Sequence, residues 1–328
     1  MKPTAPMPGG DAVQTASPNG NRAHSGSIHG PSGRSVWLDV DWREHQRWVS
    51  VDGQRVNTID LGEGPALVFV HGLSGSWPNW LEQLPVFAGL HGEESGFGGH
   101  RVIAMDLPGF GHSPMPREQI SISGYARLLD GMLGELGIDT AAVVGNSMGG
   151  FVSLELAISH PERVERLALV SPAGLSSYRD PRGRRAIHAL RVLHPALTSG
   201  LGWAAENAEL LTRHPRLRAL SLRDLVRYPS RVPAPLAAEL VRGAGKPGFV
   251  DALQASIAYN TRARLPEVAC PTLIVWGARD RIITVRDASV YAELIPNSRK
   301  VVYPDTGHLA MVERPVQFNI LLRDFLAE

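Results

Sequence analysis

The chain has 328 residues, 43% hydrophobic and 20% charged, with a formal net charge of +1, which is the composition of a globular protein with ample material for a core and without global attraction to nucleic acid or an anionic membrane. There is no run of eighteen apolar residues to span a bilayer and no apolar stretch near the start to act as a secretory signal. A single cysteine, Cys270, excludes an internal disulfide framework and reads as a packing thiol; the expected compartment is the cytoplasm, and oligomeric state is left open.

Residues 1–34 are rich in Pro, Gly, Ser, Asn and Thr, with almost no large apolar side chains. Such a segment buries too little surface to offset its ordering entropy, so a disordered tail is expected. From Val36 the pattern changes. Arg47–Val51 and Gln54–Leu61 flank Asp52-Gly53, a dipeptide suited to the positive φ of a tight hairpin. After Gly62-Glu63-Gly64-Pro65, the run Ala66–Val70 is continuously apolar, as are Val102–Met105, Ala141–Val144 and Leu167–Val170. These are the marks of strands covered on both faces. Helical periodicity in Tyr125–Leu136 and Phe151–Ile158 alternates with them. The expected fold is α/β, a mostly parallel sheet with helices on both faces.

The alternation breaks over residues 175–265, which are Arg-rich, Pro-punctuated and helical in pattern, without a buried-strand run. Strand-like sequence returns at Thr272–Trp276 and Lys300–Tyr303, and a helix closes the chain near Pro315–Leu326. The expected organisation is therefore a core of residues 35–174 and 266–328, interrupted by a helical cap of residues 175–265.

Gly145-Asn146-Ser147-Met148-Gly149 matches G-x-S-x-G, between a buried strand and a helix. That context turns the pattern into a nucleophile candidate, because a sharp strand-to-helix turn lifts the serine hydroxyl above the sheet. A serine hydroxyl needs a base to take its proton. Of twelve histidines, His308 in Thr306-Gly307-His308-Leu309 follows the last strand run, at the sheet edge where such folds place their chemistry. The carboxylate that orients the base is expected at Asp280, in Gly277-Ala278-Arg279-Asp280 after Thr272–Trp276, with Asp305 as the alternative. Two backbone amides are needed for the oxyanion: Met148, directly after the nucleophile, and Leu73, after His71-Gly72. Asp106 reads as a turn-stabilising residue.

With these residues in view, the chain resembles the α/β-hydrolase superfamily from about residue 45 to the end. The matching elements are His71-Gly72, Asp106-Leu107-Pro108-Gly109-Phe110-Gly111-His112-Ser113, the Ser147 turn, Gly277–Asp280 and Gly307-His308. The resemblance implies an eight-stranded sheet, with the cap inserted between the sixth and seventh strands. It also disfavours haloalkane dehalogenase and epoxide hydrolase chemistry, which would place aspartate at Ser147. Gly145-Asn146-Ser147-Met148-Gly149-Gly150 looks most like the carbon–carbon bond hydrolases that act on meta-cleavage products. That family usually has tryptophan directly after the histidine, whereas this chain has Leu309. A carboxylic ester hydrolase is therefore the first expectation and a carbon–carbon hydrolase the second. A ligand-binding signalling protein on the same fold is the third.

The expected partner is a small-molecule substrate, without metal or cofactor. Gly72, Asn146 and Trp77 are its candidate contacts. From Ser176 to Asn260 twelve arginines and one lysine face six carboxylates, a net of +7. This suits either an anionic substrate steered to the cap or a solvated face in an Arg-rich protein.

Overall fold

A computed structural model of the protein describes residues 35–90, 97, 99–175, 200, 202–243 and 245–328. The expected tail lies outside the described residues, as do residues 176–199, 201 and 244 of the expected cap. Strands β1 (Gln46–Val51) and β2 (Gln54–Leu61) pair antiparallel with Val51 opposite Gln54. Asp52 and Gly53 alone make the turn, at φ 48° and 78°. Two successive positive values give the primed turn that matches strand twist.

Strands β3 (Ala66–Val70), β4 (Arg101–Met105), β5 (Ala141–Asn146), β6 (Val164–Val170), β7 (Thr272–Gly277) and β8 (Ser298–Tyr303) complete one eight-stranded sheet in the order β1-β2-β4-β3-β5-β6-β7-β8. Every neighbour pair from β4 to β8 is parallel. The chain steps from β3 to β4 on one side and reaches β5 on the other. The loops leaving β3 and β5 therefore meet at the switch point, where an open α/β sheet forms its crevice.

Helices follow in chain order: α1 (Leu84–Phe87), α2 (Ile122–Glu135) and α3 (Met148–Ser159); α4 (Ala208–Arg213), α5 (Pro215–Leu222), α6 (Ala234–Arg242) and α7 (Phe249–Ala258), all between β6 and β7; then α8 (Arg286–Leu294), α9 (Ala310–Glu313) and α10 (Pro315–Leu326). Alternate strand residues feed two cores. Val68, Val70, Ile103, Val143, Ile274 and Trp276 pack with α2, α3 and α8. Leu67, Phe69, Val102, Val144, Leu273 and Val275 pack with α1, α9 and α10. Both faces being dry, the strands read as unbroken apolar runs.

Helix α2 starts earlier than its periodicity predicts, because Ser121 Oγ caps it by accepting from Gly124 N at 3.0 Å. Helix α3 also begins earlier, at Met148, and all of Met148–Ile158 is buried; a helix covered on every side carries little amphipathic signal. The insertion leans on both cores, through Leu236, Ala237 and Leu240 of α6 on one and Ala252 and Ala255 of α7 on the other. Among the described residues it holds no strand, and no helix is long and apolar enough to cross a membrane.

Candidate active site

Ser147 stands between β5 and α3 at φ 56°, ψ −118°, a conformation that a non-glycine residue holds only under the constraint of its surroundings. The constraint is visible. Ser147 N donates to Val170 O at 3.0 Å, and Ser147 O accepts from Phe151 N and Ala173 N at 3.1 and 3.0 Å. Glycines make the sharp turn possible: a Cβ on Gly145 would run into Gly149 O, and one on Gly149 into the carbonyls of Val70 and His71. A serine at a helix N-cap usually spends its oxygen on the first amides. Ser147 makes no such bond, so its hydroxyl is not tied to the helix whose positive end it faces. The Met148 amide is the first in that helix, where no intrahelical carbonyl can take it.

The loop after β3 is drawn tightly over this turn. A Cβ on Gly72 would stand 3.0 Å from Ser147 Cβ and 3.1 Å from Asn146 Oδ1, so glycine is the residue that fits this approach without neighbours having to yield. Gly75 N donates to Gly72 O at 2.9 Å, closing a turn through Leu73 and Ser74, the latter at φ 61°. His71 is fully buried and bridges outward: its Nδ1 lies 2.8 Å from Gly72 O, and its Nε2 accepts from Leu107 N at 2.9 Å. These partners assign the proton to Nδ1. Burial holds the imidazole below its usual pKa, against the pull of the Asp106 charge. Asp106 in turn accepts from Trp77 N and His112 N at 2.8 and 2.9 Å and from Asn57 Nδ2 at 2.8 Å. It stiffens the two loops, as its position after a strand predicts.

On the far side, Asp280 and His308 meet. His308 Nδ1 lies 2.8 Å from Asp280 Oδ2, and both side chains are buried. Asp280 Oδ1 accepts from Ile282 N and Ile283 N at 2.8 and 2.9 Å. Burial opposes ionisation of this carboxyl, but the His308 charge, its hydrogen bond and the two amides outweigh burial and hold the pKa below the usual value. Asp305 is exposed, and Asp280 takes the place beside His308. The Ser147 turn and the Asp280–His308 pair leave the same, C-terminal ends of the parallel strands. Among the described residues no hydrogen bond joins Ser147 Oγ to His308, whose Nδ1 is taken by Asp280.

A strained serine on a strand–turn–helix, a glycine loop pressed onto it and a buried Asp–His pair at the same sheet edge agree with the comparison of the sequence with protein families. The model of the alpha/beta hydrolase fold matches residues 65–315. The chain belongs to the alpha/beta hydrolase family.

This alpha/beta hydrolase is 32% identical to the dihydrolipoyllysine-residue acetyltransferase component of the acetoin cleaving system of Cupriavidus necator, over 85% of this chain and 68% of that one. It is 30% identical to the 2-hydroxy-6-oxo-6-phenylhexa-2,4-dienoate hydrolase of Burkholderia cepacia, over 83% and 91%. The solved structure of the enol-lactonase from Burkholderia xenovorans LB400 shares the fold, with TM-score 0.67 at 24% identity, over 86% of this chain and 100% of that one.

Two of the expected substrate contacts have other partners in this hydrolase. Asn146 is 1% exposed, and its Nδ2 donates to Val170 O at 3.0 Å, so its amide braces β6. Trp77 packs on Trp42 in a tilted pair, ring centroids 5.1 Å apart, against the second core. One residue the sequence does not single out is Glu313. It lies five positions after His308 and accepts from the backbone amides of nearby Gly307 and of the distant Arg227; nothing in its local pattern marks it.

Proposed function

We propose that this hydrolase cleaves a small carboxylic ester through an acyl-enzyme on Ser147, with His308 as base and Asp280 holding the base in place. The supporting observation is the 2.8 Å contact between His308 Nδ1 and Asp280 Oδ2. It commits Nδ1 to the carboxylate and leaves Nε2 as the proton acceptor. As Ser147 Oγ attacks the ester carbonyl, Nε2 takes its proton and later delivers it to the leaving alkoxide. A water deprotonated by the same nitrogen then attacks the acyl carbon, releasing the acid and restoring the serine. The amides of Leu73 and Met148 are the proposed donors to the oxyanion, each worth about 3–4 kcal/mol in the transition state. Helices α4–α7, which lie between β6 and β7, are the proposed selector of the substrate.

A second reading is carbon–carbon hydrolysis of a dienoate with the same three residues, favoured by the similarity to the Burkholderia cepacia dienoate hydrolase. Against it stands Leu309, buried at 3% exposure in the second core, where the resemblance leads one to expect tryptophan. Hydrolysis of p-nitrophenyl esters of graded chain length, beside a coloured dienoate, separates the two. We expect ester turnover that Ser147→Ala lowers by roughly 10⁴-fold or more. Faster dienoate cleavage would favour the second reading, and slow turnover of both with tight ligand binding would favour a signalling role.

A further inference from the structure

Asp280 fixes the His308 ring, but the base stands on a loop whose backbone is held by other groups. Gly307 N donates to Glu313 Oε1 at 2.6 Å. His308 N and Leu309 N both donate to Leu225 O, at 2.9 and 3.2 Å. The other oxygen of Glu313, Oε2, accepts from Arg227 N at 2.8 Å and Tyr228 N at 3.4 Å. Five hydrogen bonds thus tie Gly307–Leu309 to Leu225–Tyr228, through one carboxylate and one carbonyl. The segments are in full contact: a Cβ on Gly307 would stand 2.9 Å from Arg227 N and 3.0 Å from Val226 Cα. Leu225–Tyr228 belongs to the insertion between β6 and β7, whereas Gly307–Leu309 and α9 belong to the sheet domain. The two carboxylate oxygens divide the contacts, Oε1 taking the amide of the His308 loop and Oε2 those of the insertion, and a carboxylate accepts with charge-assisted strength.

We propose that Glu313 is a positioning residue that locks the His308 loop to the cap, so that the seating of the cap sets the imidazole relative to Ser147. The proposal rests on the reading of Ser147, His308 and Asp280 as the reacting set. Lifting Leu225–Tyr228 would strip His308 N and Leu309 N of their acceptor and Glu313 of two of its donors. Closure of the cap over substrate and completion of the base would then be one event.

The test compares Glu313→Ala and Glu313→Gln with the full-length wild type, using a p-nitrophenyl ester for kcat and KM. The downfield proton NMR signal of the His308 Nδ1 proton and circular dichroism are followed in parallel. An alanine removes every acceptor. A glutamine keeps one oxygen but sets an NH₂ group against the amides of the other side. We expect kcat to fall about 10²-fold for Glu313→Ala, the scale of a misplacement near 1 Å, and about tenfold for Glu313→Gln. KM should change less than about threefold, with the Nδ1 proton signal broadened in both variants. A folded Glu313→Gln with kcat within about twofold of wild type and an unchanged Nδ1 signal overturns the proposal, as does a rise in KM alone. Glu313→Gln decides if Glu313→Ala does not fold. Ser147→Ala is run beside them: if it keeps the wild-type rate the reacting set is wrong, yet the Nδ1 signal still reports whether Glu313 holds His308.

Discussion

Asp280 holds its carboxyl buried against the His308 ring. Burial alone would raise its pKa, and the His308 charge with three hydrogen bonds lowers it. A carboxyl depressed in the folded state adds stability that is complete above the unfolded value, about 3.9, and is lost as pH falls through the folded value. Urea unfolding of Asp280→Asn should therefore lose less stability than wild type on acidification below about pH 4; parallel curves would contradict the assignment. The same variant should keep the fold and lose about 10⁴-fold in kcat, because an amide favours the wrong imidazole tautomer. An unaffected rate would move the orienting role elsewhere. Gly72→Ala is a milder change, since its Cβ would press on Ser147 Cβ at 3.0 Å and neighbours must yield by a few tenths of an ångström. Folded protein with kcat reduced roughly tenfold is expected; full activity would mean that the loop does not constrain the serine. The placement of Ser147, Asp280 and His308 at the C-terminal strand ends was legible because each follows a recognisable strand. The contacts of Trp77 with Trp42 and of Asn146 with Val170 were not, since side-chain direction depends on partners far along the chain.

Among the elements, α3 carries the largest demands. Its residue Glu155 is 3% exposed and accepts from Arg264 Nη1 at 3.0 Å and Tyr259 OH at 2.7 Å. These partners lie where the insertion returns to the sheet domain, so helix α3 and the end of the insertion share one buried carboxylate. Removing one partner leaves a desolvated carboxylate behind. Arg264→Met should cost about 2–3 kcal/mol by urea unfolding, at the lower end for such pairs because the arginine is partly exposed; a loss under about 0.5 kcal/mol would show that the network contributes little. Gly149→Ala is expected to give no folded protein, because its Cβ would meet two backbone carbonyls that cannot move aside. Strands and the hairpin were legible from apolar runs and Asp52-Gly53. The starts of α2 and α3 were less so, one being set by a serine cap and the other hidden by uniform burial.

For the molecule as a whole, the fold class followed from the alternation of strands and helices along the chain. How the insertion sits on the sheet did not, because the contacts that seat it, such as Leu225 O with His308 N, join residues about eighty positions apart. The charge of the cap is a question at this scale too. Arg213, Arg223 and Arg242 pair with the nearby carboxylates of Glu209, Asp224 and Glu239, which reduces their outward field. Anionic and neutral esters should then respond alike to added salt, and a selective fall in kcat/KM for the anionic ester would restore steering by the cap. The central claim, that three distant side chains act as one unit, is tested most directly by reaction with a p-nitrophenyl phosphonate, followed by mass spectrometry of the labelled peptide. One equivalent bound to Ser147, formed orders of magnitude more slowly in His308→Ala, is the result predicted. An adduct elsewhere, or labelling of Ser147 at an undiminished rate without His308, would contradict it.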